Sequence, residues 1–416
     1  MDRPGEQPSE EEVMGTPVGL LDSLRAHGAA LGPWEDSVLA VRRELFLPET
    51  IEVGDEVISR TASPQRWLEA AYSDVSITTQ VNDGRPSGPD EYRLPTSSSS
   101  QPSVMLEALD LLDVQPTGRV LELGAGTGLN AAWLAYRLGS DRVVSVEVDP
   151  ALAEHASKNN AAAGLSPRIV AGDGSLGWPE DAPYQRVIAT YAVDEIPFAW
   201  VEQAPEGRIV SPWGGSFFPY SFAVLDVHEG RAEGRFTGYP AFMRSRTRRP
   251  KRGYLDDFLH HRQDAGHSTT GLSPLMIAQD ADALFYIGLA LPDAWHLPVT
   301  ADDDSGEMTL WILADDQLSW ASADYTPDTD EYSVAQYGPR QLWDEAEAAH
   351  DAWEALGRPT RARAGLSVTE HGQSLWIDAP ERDLSTHLPS RGLRRRRSAL
   401  HPGALVCWEG KATRYR

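Results

Sequence analysis

The chain is almost without cysteine: one, Cys407, in 416 residues. No disulfide can form within it, and no thiolate zinc cluster can be assembled. No other metal-ligand spacing stands out, so no metal is expected. Long apolar runs are also missing. None approaches the ~18–20 residues of a membrane span, and no signal peptide opens the sequence. A soluble cytoplasmic protein, monomeric and with no membrane partner, is the expectation. Positive charge is scarce: Lys and Arg number 37 against 62 Asp and Glu, for a net charge of −25. Such a surface repels nucleic acid at long range, so no nucleic-acid partner is expected. There is no Gly-Lys-Ser/Thr phosphate loop, which excludes a P-loop nucleotide site.

What is present is a glycine turn in a strand–turn–helix setting. The apolar run Val120-Leu-Glu-Leu123 meets glycines at alternate positions, Gly124, Gly126 and Gly128, and a helical pattern, Ala131-Ala-Trp-Leu-Ala-Tyr-Arg-Leu138, follows. Glycines allow positive φ and leave bare backbone against which a ligand can lie. The helix N-terminus beyond offers free N–H groups. A second short strand, Arg142-Val-Val-Ser-Val-Glu-Val-Asp149, ends in acids, with Glu147 nineteen residues after Gly128. That is close to the spacing of about 20 at which an acid takes ribose hydroxyls. Further strands are predicted at Arg168-Ile-Val-Ala171, turning at Asp173, and at Tyr184-Gln-Arg-Val-Ile-Ala-Thr190, with a helix over 150–163. The β-α-β order predicts a doubly wound, Rossmann-like parallel sheet. Gly124, Glu147, Asp173 and Thr190 then fall at strand ends that share one crevice.

The glycines read E-x-G-x-G-x-G, not the dinucleotide G-x-G-x-x-G. The surrounding acids Glu122, Glu147 and Asp173 suit a cofactor without phosphates, and better one with a positive charge. S-adenosylmethionine has both properties.

At this point the sequence resembles the protein-L-isoaspartate O-methyltransferases, from about residue 36 to 215. Val41-Arg-Arg-Glu-Leu-Phe-Leu-Pro48 is similar to the family's early segment. Ser97-Ser-Ser-Ser-Gln-Pro-Ser-Val-Met105 is similar to its active-site loop, in which a serine precedes a residue and a proline. Val120 to Gly128, Val143 to Asp149, Gly172-Asp-Gly174, and Ile188-Ala-Thr190 with Glu195-Ile-Pro197 match its later motifs in order and spacing. The resemblance implies that Gly124, Gly126 and Gly128 pass under the methionine and ribose of S-adenosylmethionine. It implies that Glu147 holds the ribose hydroxyls, and that Asp173, beside Gly174, accepts from the adenine amine. Gln101, Glu122, Asn130, Val148, Gly172 and Thr190 complete the cofactor set, whose product is S-adenosylhomocysteine. Ser100, or Ser99 one register away, would contact the substrate carboxylate as the catalytic serine. Thr190 would stand at the mouth of the transfer pocket. The approach to the serines, Asn82 to Tyr92, is longer and more polar than the family's glycine-rich one, so divergence is expected on the acceptor side.

The residue types agree with carboxyl methylation. A carboxylate has a pKa near 4 and is ionised at neutral pH, so no general base is needed and no histidine has to stand at Ser100 or Thr190. Beyond this domain, assigned to 16–240 after a disordered tail at 1–15, a smaller C-terminal α+β domain is predicted over 241–416. Within it, hairpin strands at 308–314 and 318–321 turn at Asp315-Asp316. A helix at 341–356 carries Leu342, Ala346, Ala349, Trp353 and Leu356 on one face, and strands follow at 366–368 and 374–377. Another hairpin is predicted at 217–227 and 234–238. Trp295, Trp311, Trp320, Trp343, Trp353 and Trp376 are read as core. Two basic runs, Arg244-Ser-Arg-Thr-Arg-Arg-Pro-Lys-Arg252 and Arg391-Gly-Leu-Arg-Arg-Arg-Arg397, read either as solvated linkers or as docking sites for an acidic peptide. The substrate is expected to be a protein or peptide bearing Asp or isoAsp. Between repair of damaged protein and tailoring of a ribosomally made, modified peptide through an aspartimide, the sequence favours tailoring. A nicotinamide oxidoreductase and a non-catalytic binding protein are the alternatives of other classes.

Overall fold

A computed structural model describes residues 15–86, 93–218, 220–247, 249, 255–259 and 261–389. The expected tail apart from Gly15, the second basic run, Cys407 and parts of both the 82–92 approach and the first basic run lie outside the described residues.

The chain opens with helices α1 (Pro17–Ala26) and α2 (Glu35–Ala40), strands β1 (Thr50–Val53) and β2 (Glu56–Ser59), helix α3 (Pro64–Ala71), and strands β3 (Ile77–Val81) and β4 (Pro95–Ser99). The four strands form an antiparallel sheet in the order β2-β1-β3-β4. The serine run is therefore mostly strand, not loop: Ser99 sits opposite Ile77 and Ser98 opposite Thr78.

Next come α4 (Pro102–Leu112), β5 (Val120–Leu123), α5 (Leu129–Leu138), β6 (Val143–Glu147), α6 (Pro150–Ala162), β7 (Arg168–Ala171), β8 (Arg186–Ala189), α7 (Phe198–Gln203) and β9 (Arg208–Trp213). The five strands are parallel in the order β7-β6-β5-β8-β9. The strand order reverses on either side of β5, which opens a crevice at its C-terminal end. This is the doubly wound sheet the sequence predicts. Asp149 starts α6 by accepting from the Ala151 and Leu152 N–H groups at 2.9 and 3.3 Å, and Pro150 follows at the first helical position, where its missing N–H costs nothing.

The sheet then turns antiparallel through β10 (Ser221–His228) and β11 (Arg231–Thr237), the expected hairpin. The remaining elements are α8 (Leu255–Phe258), β12 (Gly266–Thr270), α9 (Pro274–Gln279), α10 (Ala281–Ala290), β13 (Ala294–Thr300), β14 (Met308–Ala314), β15 (Trp320–Tyr325), β16 (Tyr332–Tyr337), α11 (Leu342–Ala355), β17 (Ala364–Thr369), β18 (Gly372–Ile377) and β19 (Ala379–Asp383). Strands β12 to β16 form a second antiparallel sheet, β12-β16-β15-β14-β13. The last three strands return to the first: β17 pairs with β11, and the large sheet runs β19-β18-β17-β11-β10-β9-β8-β5-β6-β7. The chain after 240 thus both builds its own sheet and extends the central one.

Alternation along the strands separates two apolar cores. Val120, Ile188 and Val210 join one with α1, α4 and α5. Leu121, Leu123, Val187 and Ile209 join the other, where α10, α11 and the inner face of the second sheet also pack. The six tryptophans read as core are all buried. Among the described residues no helix is long and apolar enough to cross a membrane.

Candidate functional site

A cavity of about 560 Å³ opens at the C-terminal ends of β5, β6 and β8. Every candidate from the sequence lines it except Gly128 and Gly172. Its floor is the glycine turn. Gly124 has φ +100, and a Cβ there would stand 2.6 Å from Thr190 Oγ1 and 2.9 Å from Tyr191 Cδ1. Gly128, at φ +86, starts α5, and a Cβ would strike Asn160 Nδ2 at 2.6 Å. Both positions therefore need glycine for space and for backbone angle. Gly128 works from below the cavity, as packing.

Glu147 ends β6 and is almost fully buried. Its Oε2 accepts from Gly126 N at 2.8 Å and its Oε1 from Asp149 N at 3.1 Å. Each oxygen keeps a lone pair for a further donor. Glu122 is fully buried, with Oε1 on Asn130 Nδ2 at 2.8 Å and Oε2 on Ser145 Oγ at 2.5 Å. Burial pushes its carboxyl up to about 7, against those two hydrogen bonds and with a push from the Glu147 charge. Its oxygens are taken up holding the start of α5 and β6, so its place is under the turn. Asn130 Oδ1, by contrast, is buried at the cavity with no partner among the described residues. Asp173 caps the short turn after β7 through Oδ1 to Ser175 N at 2.9 Å. Val148 is exposed and also lines the cavity.

Thr190 Oγ1 donates to Gly124 O at 2.5 Å, so its hydroxyl fastens the glycine turn to the end of β8. Tyr191, which the sequence reading missed, spans two motifs: its ring abuts Gly124 and its hydroxyl abuts Gly174. Burial, then the charges of Asp173 and Glu147, keep its phenol protonated. Only its place next to Thr190 could have flagged it. Trp200 Nε1 donates to Gly174 O at 2.8 Å and holds the third motif from behind.

The opposite wall is the serine strand. Ser99 is 2% exposed and its Oγ accepts from Arg43 Nε at 3.2 Å. Ser99 also lines the cavity, and accepting from Arg43 leaves its own O–H to donate, so Ser99 and Ser100 both stand as candidates for the acceptor side. Ser100, partly exposed, follows β4 at the cavity. Gln101 donates through Nε2 to Asp74 Oδ2 and Ser103 Oγ, both at 3.1 Å, which orients the start of α4. Arg43 is the larger omission. It is 1% exposed and donates to Ser99 Oγ and to the carbonyls of Ala71, Ser73, Val75, Ser99 and Ser100. Burial lowers its pKa to about 10, opposed by the Asp74 charge, so it stays a cation at neutral pH. A planar fork with five N–H groups can satisfy this many converging carbonyls; lysine cannot.

Residues 241–247 form the third wall. The described arginines of the first basic run are partly buried and meet acidic side chains. Arg244 donates to Gly214 O at 2.8 Å and lies 3.7 Å from Asp194; Arg246 lies 3.2 Å from Asp149; Arg249 bonds Asp83 at 2.7 Å.

The sequence profile of the protein-L-isoaspartate (D-aspartate) O-methyltransferases matches residues 49–219. A protein-L-isoaspartate O-methyltransferase of Hyperthermus butylicus is 31% identical over 210 residues, covering 48% of this chain and 75% of that one. This chain belongs to the protein-L-isoaspartate O-methyltransferase family. Its Thermotoga maritima relative is 38% identical over 135 residues, 32% of this chain, and the match spans only 39% of that relative's length. The Methylorubrum extorquens relative is 42% identical over 164 residues, 39% of this chain and 58% of its own. A solved protein-L-isoaspartate O-methyltransferase aligns with 88% of this chain and 100% of its own at 21% identity, with a TM-score of 0.49. The family's cofactor is S-adenosylmethionine, and the residues here fit it. A bare glycine floor, a buried carboxylate with lone pairs to spare at Glu147, and an orphan acceptor at Asn130 Oδ1 suit a cationic, phosphate-free molecule with a ribose diol. Residues 241–247 lie beyond the family match.

Proposed function

We propose that this protein is an S-adenosylmethionine-dependent carboxyl O-methyltransferase acting on isoaspartyl residues of proteins. The observation that carries the reading is the pairing of two walls in one cavity: Glu147 and the glycine turn on one side, Ser100 at the end of the serine strand on the other. Glu147 would hold the ribose hydroxyls, Asp173 and Val148 the adenine, and the Gly124 and Gly126 backbone the methionine portion. S-adenosylmethionine supplies a methyl group on a sulfonium sulfur, which departs as a neutral thioether.

The acceptor carboxylate is already ionised, so the new C–O bond forms with no proton to remove. The chain's residues then have two tasks. Ser100 donates to one carboxylate oxygen and aims the other, and the cavity walls keep water off the attacking oxygen. Arg43 acts through Ser99 and Ser100, as a positioning residue. The ester so formed is attacked by the next backbone amide nitrogen. Methanol leaves with the amide proton, and a succinimide remains, which hydrolyses to aspartyl or isoaspartyl peptide.

The test is incubation with S-adenosylmethionine and an unrelated isoaspartyl peptide, followed by mass spectrometry for one added methylene and by methanol release. Methylation of the isoaspartyl but not the aspartyl form is the expected result; no methylation of either would remove this reading. One observation favours a second reading, tailoring of a dedicated ribosomally made peptide, which the sequence alone put first. The wall at 241–247 and the additional sheet lie outside the family match, so the acceptor mouth is not built from family residues alone. Methylation confined to a mature, crosslinked peptide, with no turnover of simple isoaspartyl peptides, would replace the first reading by this one.

A further inference from the structure

Arg246 is placed where the cofactor side and the acceptor side of the cavity meet. Its Nη2 donates to Thr96 O and to Gln80 Oε1, both at 2.7 Å, and its Nε donates to Thr96 O at 3.2 Å. Its Nη1 donates to Asp149 Oδ2 at 3.2 Å and lies 3.7 Å from Asp83 Oδ1. Thr96 belongs to β4, the strand that ends at Ser99 and delivers Ser100. Asp149 caps α6 and gives its N–H to Glu147 Oε1. Gln80 ties the two again, with Nε2 on Asp149 Oδ2 at 3.0 Å and Oε1 accepting from Thr96 Oγ1 at 2.9 Å. The segment that carries Arg246 is itself anchored to the third ligand-bearing strand end: Ala192 N donates to Met243 O at 2.8 Å, and Ser245 N to Ala192 O at 2.9 Å.

From this geometry we propose that Arg246 is a positioning residue that clamps the acceptor strand to the cofactor-binding end of β6, coupling the binding of one substrate to that of the other. The physical basis is a continuous chain of hydrogen bonds. Gly126 N–H meets Glu147, Glu147 meets the Asp149 N–H, Asp149 meets Arg246, and Arg246 meets the Thr96 carbonyl. The guanidinium is four-fifths buried, with side-chain exposure of 19% against 15% for Asp149, so these are charge-assisted bonds little screened by water. A flat fork holds a carboxylate and a carbonyl in fixed, separate directions, which a compact ammonium does not match. Any shift of Glu147 on taking up a ribose is then transmitted to the strand bearing Ser100. The clamp comes from a segment outside the residues matched by the family profile, so it belongs to this chain's own elaboration of the site. For its acceptor arm the proposal rests on the carboxyl-methylation reading; its cofactor arm does not.

The test uses the full chain and S-adenosylhomocysteine as probe, with titration calorimetry as readout. Arg246→Gln is expected to weaken binding about tenfold, the loss of one charge-assisted bond. Arg246→Lys should recover part of that loss. Asp149→Asn keeps the helix cap, because asparagine caps as well as aspartate, and should weaken binding in the same direction. Arg246→Gln and Asp149→Asn combined should cost less than the sum of the two singles. Arg340→Gln removes a buried guanidinium, 12% exposed, from its ion pairs with Asp293 and Glu345, which lie in a loop and a helix away from the cavity. It should lower the melting temperature and leave the Kd unchanged. With an isoaspartyl peptide as acceptor, Arg246→Gln should raise its KM more than it lowers kcat. Wild-type affinity in Arg246→Gln, or in Asp149→Asn should the first variant not fold, overturns the clamp. Tight binding of the probe by the wild type without methylation of any isoaspartyl peptide overturns the functional reading instead, while the Kd series still judges the clamp.

Discussion

Glu147 is the residue at which the proposed cofactor site is most directly tested. Glu147→Gln would set an amide against the Gly126 N–H and lose a charge-assisted acceptor, so the Kd for S-adenosylhomocysteine should rise about tenfold or more by calorimetry. Unchanged affinity would remove Glu147 from the site. Glu122 plays a different part, and its titration reveals it. Its folded-state pKa of about 7 lies above the ordinary 4.5 because burial disfavours the charge. Between those values the native state holds a proton that the unfolded chain has released. The contribution to stability is thus fully present below pH 4.5 and lost as pH rises through 7. Glu122→Gln should flatten the fall in stability between pH 5 and 7.5, read from urea midpoints at each pH. The glycines behave as their geometry requires: Gly128→Ala places a methyl against Asn160 at positive φ and should cost about 1–3 kcal/mol. At this scale the sequence was informative wherever a residue type is forced by chemistry, as with the glycines, Glu147 and Asp173. It was silent on Arg43 and Tyr191. Their roles depend on carbonyls and motifs brought from distant segments, which no local spacing encodes.

Among the elements, the strand carrying the serines departs most from its local sequence. Four serines in a row have little reason to be a strand by themselves. They become one because β3 pairs with them and because Arg43 gathers the carbonyls at their end. Arg43→Met would leave five buried carbonyls without their donor and should lower stability by about 3 kcal/mol or more. Arg43→Lys should recover only a fraction, and both variants should lose methyl transfer before they lose S-adenosylhomocysteine binding. Loss of both together at temperatures where the chain remains folded would mean that Arg43 supports the whole cavity rather than the acceptor wall. Elements with strong periodicity were legible to within a residue or two: α6, α11, and strands β14, β17 and β18; the hairpins β10–β11 and β14–β15 were found, with some bounds off by up to four residues. Helix α10 was not, since Ala281-Asp-Ala-Leu-Phe-Tyr-Ile-Gly-Leu-Ala290 is buried nearly all round and offers no polar face to set a period.

The whole molecule is organised by a sheet that the chain leaves after β11 and rejoins at β17. A chain ending at residue 240 would expose β11 as an edge and strip α10 and α11 from the apolar face they cover. Such a truncation should aggregate or unfold without cooperativity, as size-exclusion and urea titration would register. A soluble, cooperatively folding 1–240 fragment would establish the boundary that sequence composition places there. The basic run 244–252 makes the same point in charge. On a chain of net charge −25 it reads as a linker or an acid-binding patch, yet its described arginines meet Asp83, Asp149 and Asp194. By itself the sequence determined the doubly wound core, its glycine turn and the acid at the end of β6. These rest on local periodicity, on glycine's freedom at positive φ, and on the chemistry of the cofactor. Only the tertiary structure decided that Arg43 holds the serine strand, that Tyr191 braces the glycine turn, and that the segment after the hairpin walls the cavity. Those outcomes arise where buried polar groups from distant parts of the chain must satisfy one another, and the partners are chosen by the fold rather than by their neighbours in sequence.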